Sequence, residues 1–340
     1  MTDSRKPNMS GSIICCIFAL LLHSSKAQSP YTTKTFSGSV NQVVSRTNGG
    51  DISVAGNASL SEHKIQMYVK SDDGTELPND EIQQRLDKYY TVTIELENGV
   101  LNATAIRNSS NEQLSISFVI DVASETASTE LKSSGGNLSV RNIFGNTKGQ
   151  TSGENIDVNH CGGENTDVTL STSGGNVNVA NCTGRIMLRT SGGYMGLNNL
   201  TGTINARTSG GNIRASALTG NITVRTSGGN LNLNGISGGL SATTSGGNID
   251  ATMTKVTDGT RLKTSGGSVD FSFPSGHYNL TITGDNVDVS GLNNFNGTKT
   301  QKSVKGQLNR GGTAIVVTAD TVSVKIKDEE SKEEEINIEY

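Results

Sequence analysis

Carboxylates, thiols, imidazoles and guanidinium groups are the side chains with chemistry to offer, and in this chain of 340 residues four small sets of them stand out. Asp250 and Asp270 hold equivalent places in successive copies of a repeated unit. Two carboxylates so placed could share a proton or hold a cation. An acid/base enzyme also needs a base within reach, and no His falls in register with either one. His160 and Cys161 are adjacent, which invites the reading of a thiol nucleophile beside its base. Adjacent strand residues point to opposite faces, so this pair is poorly arranged for proton transfer, and packing explains it better. Cys161 and Cys182 each stand ten residues after the start of their unit. Stacking of the units would bring their Cα atoms to about 5 Å, inside the disulfide range. Two readings follow, an inter-coil disulfide formed after export or two packed free thiols. Arg189, Arg207 and Arg225 recur at one place in three consecutive units, followed there by Thr243 and Lys263. Such a row repels itself unless solvent, salt or an anionic partner relieves it.

What must position these residues is a repeat. The phrase Thr-Ser-Gly-Gly-Asn starts at 172, 208, 226 and 244, with near-copies at 133, 151, 190 and 264, and the successive spacings are 18, 21, 18, 18, 18, 18 and 20 residues. A fixed period of that size marks a repeat architecture. With each unit numbered from its first residue, position six is Leu138, Ile156, Val177, Met195, Ile213, Leu231, Ile249 or Val269, and position eight is also apolar. Positions fifteen and seventeen repeat the pattern with Ile204 and Ala206 or Ile222 and Val224. Apolar residues separated by one polar residue read as a short strand with one inward face. Two such strands bury too little to stand alone, so the units must stack as coils. The expected fold is all-β, a parallel two-sided β-solenoid of about 18-residue coils. Gly-Gly is expected to turn each corner through positive φ, and the following Asn to form a coil-to-coil amide ladder.

The flanks differ. Residues 1–27 read as a secretory signal, with Arg5 and Lys6 ahead of an apolar run at 13–22 and Ser25-Lys26-Ala27 as the cleavage site. A run of about ten residues is too short to cross a bilayer core of roughly 30 Å, and no other stretch reads as an integral membrane span. Residues 28–60 read as the first strands of the solenoid, because Gly49-Gly50-Asp51-Ile52 has the repeat's form once. Residues 61–130 read as a small α+β insert, with a strand, a helix opening at Pro78-Asn79-Asp80, and a hairpin at Glu97-Asn98-Gly99-Val100, that caps the N-terminal end. Residues 131–327 hold the repeats, with 311–326 as a degenerate last coil, and 328–340 form an acidic tail.

Composition removes several functions. With 41 Gly, no Trp and 4% aromatics, the core is thin, and a net charge of -4 gives no support for nucleic-acid binding. A calcium row needs a carboxylate in each turn, and these turns carry none at the recurrent position, so no metal and no cofactor is expected. Ice binding would want ranks of Thr-x-Thr, and the outward positions are mixed.

The Ser-Gly-Gly-Asn-Ile units, the strand at 115–122 leading into Ser133-Ser134-Gly135-Gly136, and the early Gly49-Gly50-Asp51-Ile52 together resemble the bacterial candidate-adhesin family of β-strand-repeat proteins. The helix at 81–90 followed by an Asn-Gly hairpin is similar to members from Bacteroidetes-type bacteria. The resemblance spans roughly residues 31–326. It implies an exported β-solenoid, periplasmic, surface-bound or secreted, and supplies no catalytic residues. The expected role is therefore non-enzymatic, adhesin-like surface recognition or structure in the cell envelope. The basic row Arg189, Arg207, Arg225 and Lys263 is the candidate ligand site, for an anionic glycan, an envelope component or another surface protein. The alternatives are a polysaccharide-active enzyme on a β-helix and an envelope scaffold or sensor that binds a protein partner.

Overall fold

A computed structural model describes residues 29–109 and 113–327. The expected leader at 1–27 and acidic tail at 328–340 lie outside the described residues. From the N-terminus run β1 (Thr32–Phe36), β2 (Gln42–Thr47), β3 (Ile52–Asn57), β4 (His63–Ser71), helix α1 (Asn79–Tyr89), β5 (Tyr90–Glu97), β6 (Val100–Arg107) and β7 (Leu114–Ala123). The repeats supply β8 (Ser128–Ser133), β9 (Leu138–Arg141), β10 (Asn146–Gln150), β11 (Ile156–Asn159), β12 (Gly162–Ser171), β13 (Val177–Arg189), β14 (Met195–Arg207), β15 (Ile213–Arg225), β16 (Leu231–Thr243), β17 (Ile249–Lys263) and β18 (Ser268–Pro274). The chain closes with β19 (Tyr278–Thr283), β20 (Asn286–Ser290), β21 (Phe295–Lys299), β22 (Ser303–Leu308), β23 (Thr313–Thr318) and β24 (Thr321–Lys327).

The repeats stack in parallel and in register. Met195 pairs with Ile213 and Arg207 with Arg225, so positions six and eighteen each line up from coil to coil. Positions six to nine form a first sheet and positions fourteen to eighteen a second, and β13 to β17 each run through both. Between the sheets lie the inward residues, for example Met195, Leu197, Leu200, Ile204 and Ala206, all buried. Four of these five are large, each worth about 1.5–3 kcal/mol when buried. Ordering eighteen residues costs on the order of 1–2 kcal/mol per residue, so one coil is unstable and only the stack folds.

The corner phrase works differently from the sequence expectation. No glycine of the corner phrase, at positions three and four of the eight repeats, has positive φ; in the early copy Gly50 does, at 106°. What demands glycine is close approach. A Cβ on Gly211 would sit 1.9 Å from the Gly193 carbonyl oxygen, and the same position gives 1.9 Å at Gly193 and 2.0 Å at Gly229 and Gly247. The first Gly of the pair is less crowded, with nothing nearer than 3.7 Å at Gly210. Positive φ occurs at the other corner instead, at position ten (Asn142, His160, Asn181, Asn199, Ala217) and at position thirteen (Gly184, Gly202, Gly220, Gly238). The rest of the phrase has a bonding role. The buried Thr208 hydroxyl donates to the Gly193 carbonyl of the preceding coil at 2.9 Å and accepts the Gly211 N–H of its own at 3.3 Å. The Asn amides form the expected ladder, with the Asn155, Asn230 and Asn248 Oδ1 atoms accepting the N–H of Asn176, Asn248 and Ser268 at 2.8–2.9 Å. Tyr194 interrupts it.

At both ends coils stack out of sequence order. The β2/β3 coil pairs on one side with β6/β7 and on the other with β8/β9. Likewise β23/β24 lies between the coil made by β17 and β18 and the coil made by β19 and β20. Antiparallel strands then cover the ends: β5 on β6 and β4 on β7 at one, β22 on β19 at the other. Covering a parallel edge removes a template for unwanted strand pairing. The helix packs Ile82 and Leu86 into this end of the core, although its first residue is preceded by Pro78, which gives no side-chain cap. The hairpin between β5 and β6 turns at Asn98 and Gly99, with φ of 50° and 77°.

Candidate recognition surfaces

The outward positions of the second sheet carry the basic row. Arg189, Arg207 and Arg225 are directly paired on β13, β14 and β15, and Thr243 and Lys263 continue the row on β16 and β17. In the other direction it passes through Ser171 and Gln150 to Lys132 and Arg46. The neighbouring outward position sixteen adds Lys148 and Arg261 to the same face. One carboxylate answers these charges, Glu130 at 3.1 Å from Arg46, and on the same sheet Asp167 lies 3.2 Å from Arg185 at position fourteen. Among the described residues Arg189, Arg207, Arg225 and Lys263 have no ion-pair partner and stand exposed. At the roughly 4.8 Å strand spacing, like charges repel by about 1 kcal/mol in water before salt screening. Lys132, Lys148 and Arg261 were legible as well, had position sixteen and the early coils been aligned with position eighteen.

The opposite face, on the first sheet, presents positions seven and nine. Asp250 and Asp270 are neighbours there in register, as the spacing required, and both are exposed. Among the described residues no group of three or more His, Cys, Asp and Glu is placed to hold a metal ion. The same face carries a groove of about 910 Å3, lined by Asn178, Asn198, Asn232 and Asn234 with Arg141, Arg214, Asp157 and Asp250. Asp157 accepts a hydrogen bond from Asn178 at 2.8 Å, and Asn198 donates to Ser216 at 2.7 Å. Sequence reasoning missed this groove, because its residue types vary from coil to coil and only stacking brings them together.

His160 sits at the αL corner with φ of 54° and is exposed, whereas Cys161 points into the core. The two are therefore a corner and a packing residue. Cys161 and Cys182 stack on successive coils as buried free thiols, the Cys161 N–H lying 3.3 Å from the Cys182 Sγ. The extra residues of the longer unit form a bulge between Gly162 and Asp167, beyond Cys161, which leaves the two cysteines aligned. The bond with Cys161, and after it burial, pushes the Cys182 thiol far up, so it stays protonated.

Residues 23–327 match the family described as Toastrack DUF4097. The chain belongs to the Toastrack DUF4097 family. This Toastrack chain is similar to a solved candidate adhesin from Parabacteroides distasonis ATCC 8503, at 17% identity and a TM-score of 0.40, over 71% of this chain and 96% of that one. A candidate lipid-binding protein from the same organism gives 12% identity and a TM-score of 0.37, over 88% and 97% of the two chains. A candidate cell adhesion protein from Clostridium sporogenes ATCC 15579 gives 11% and 0.19, over 88% and 100%. No curated protein matches the chain. Among the described residues, no helix of this Toastrack fold is long and apolar enough to cross a membrane.

Proposed function

We propose that this protein is an exported, non-enzymatic, adhesin-like recognition module of the cell envelope whose basic face binds anionic polymers. The observation that carries the reading is the in-register row Arg189, Arg207 and Arg225, extended to Lys263, with no ion-pair partner among the described residues. Arg presents a rigid fork of donors suited to carboxylate, sulfate and phosphate, and a row at a fixed spacing favours a polymer over a single anion. Against catalysis stands the exposed Asp250 and Asp270 pair, which has no third titratable group beside it in the register. The reading includes a leader at 1–27, a mature chain that works outside the cytoplasm, a capping insert at 61–130 and a solvated tail at 328–340.

The test is binding of the mature chain, residues 28–340, to immobilised polygalacturonate, heparin and lipopolysaccharide. The first two carry sugar carboxylate or sulfate and the third carries lipid-linked phosphate, so the panel separates the two sources of anion. Selective, salt-sensitive binding that disappears in the triple variant Arg189→Ala, Arg207→Ala, Arg225→Ala is the expected result. Binding that survives the triple variant, or no binding by the parent, refutes the assignment.

A further inference from the structure

We propose that the groove on the outer face of the first sheet is a second, independent site, and that it takes a neutral polysaccharide laid along the solenoid axis across β9 and β11 to β17. Charge is the first argument. Arg141 and Arg214 in the groove are matched by Asp157 and Asp250, so the lining is formally neutral where the opposite face is basic. An anionic or cationic polymer gains little there from long-range attraction. The second argument is hydrogen-bond chemistry. Each carboxamide of Asn178, Asn198, Asn232 and Asn234 offers donors and an acceptor together. A sugar hydroxyl likewise donates and accepts, so vicinal hydroxyls and carboxamides complement one another without any charge.

The geometry fits an extended ligand. Arg214, Asn232 and Asp250 stand side by side on β15, β16 and β17, spaced at about the 4.8 Å of neighbouring strands. None of these three, nor Asn234, has a side-chain partner among the described residues, so their bonding capacity is open to a ligand. Asp157 with Asn178 and Asn198 with Ser216 are already oriented by the bonds between them. All are carried by strands, which hold side chains in fixed directions and lower the ordering cost of binding. The floor at Ala180 and Gly196 is low, so a chain can approach the sheet closely. No aromatic side chain lines the groove, and hence no sugar ring can stack. Affinity must then accumulate over several coils, which selects a polymer over a monosaccharide.

The experiment is affinity electrophoresis of the chain through gels containing dextran, mixed-linkage β-glucan, xylan or mannan, repeated in high salt. Retardation by at least one of these polymers, insensitive to salt and weakened about tenfold or more by Asn232→Ala, Asn234→Ala, Asp250→Ala together, is expected. The Arg189, Arg207, Arg225 triple Ala variant should be retarded like the parent, which separates this site from the basic one. Because a triple change can disturb folding, Ala180→Trp serves as a second variant that fills the groove while leaving every polar lining residue in place. Absence of retardation by all four neutral polymers, or unaltered retardation of both groove variants with native circular dichroism, overturns the proposal.

Discussion

Gly210 and Gly211 are adjacent, belong to the same phrase, and should respond to alanine in opposite ways. On Gly211 the new Cβ would stand 1.9 Å from the Gly193 oxygen and 2.5 Å from its carbon, both backbone atoms that cannot swing aside. An ordinary contact needs about 3.5 Å, so the coils must part by roughly 1.5 Å. That movement stretches the corner bonds between the two coils, Gly210 N–H to Ser191 at 2.9 Å, Ser209 N–H to Ser191 at 3.2 Å and the Thr208 hydroxyl to Gly193 at 2.9 Å, beyond useful length. Three bonds at about 1 kcal/mol each give a loss of about 3 kcal/mol. At this chain size that lowers Tm by roughly 6 °C. On Gly210 the nearest atom is 3.7 Å away and φ lies outside the left-handed region, so alanine fits. By restricting the unfolded chain it should stabilise by about 0.5 kcal/mol. Thermal and urea unfolding followed by circular dichroism, with hydrogen exchange at the altered coil, reads both variants. Equal stability of the two would show that close stacking is not what requires glycine.

Two further outcomes follow from the other corner and the core. Ala217 holds φ of 54° at a position where Asn199 donates to Asn181 at 2.8 Å and Asn181 donates to Asn159 at 2.9 Å. Ala217→Asn relieves a left-handed penalty of about 1 kcal/mol and lengthens that ladder, so Tm should rise by roughly 2 °C; a fall would refute the account. Because both thiols are buried in the folded coils, Cys161 and Cys182 should form a disulfide when the chain is refolded from denaturant in oxidised glutathione, the two thiols giving up two electrons and two protons as two glutathione molecules are released. Intact mass under non-reducing conditions shows a loss of two hydrogens, and both thiols still free after prolonged treatment would exclude the bridge.

The middle of the solenoid was legible because its signal is periodic. A strand with positions six and eight inward leaves no choice of face, and a constant spacing leaves no choice of register, so the partners of Arg207 and Met195 could be named in advance. The glycine mechanism was not legible, since sequence shows that a small residue recurs but not whether φ or a neighbour's carbonyl demands it. Nor were the ends. Residues 49–54 announce a coil, and nothing local says that it stacks between 100–123 and 128–141 instead of opening the array. That choice is made by long-range pairing, where the same short strand pattern fits more than one neighbour. Position eighteen revealed the basic row because its residue type repeats; the groove is built from unlike residues, and its neutrality is a property of the assembled face.

The threading at the ends bears on where recognition can sit. A solenoid that ended on its last parallel coil would expose two strand edges; antiparallel β4 and β5 cover both at the N-terminal end, β22 covers β19 at the other end while, among the described residues, β20 pairs with β24 alone, and at each end one coil sits inside the array out of sequence order. The coils that stack in sequence order are thereby confined to those between, and within them the register runs without a break from β13 to β16. Between β16 and β17 it shifts three times, between Leu233 and Ile236, between Ile236 and Ser237, and between Gly238 and Leu240. The arginines stop one coil before that irregularity: Arg225 is followed in register by Thr243, and the next cation of the row, Lys263, lies beyond it. A ligand read by equal spacing must therefore lie over β13 to β15 on the basic side. A polymer on the other side meets Arg214, Asn232 and Asp250 before the shift takes effect, because their pairing precedes Leu233. The two faces share one scaffold and one set of strands, so the corner residues that fix the coil spacing also fix the spacing of the outward side chains on both faces.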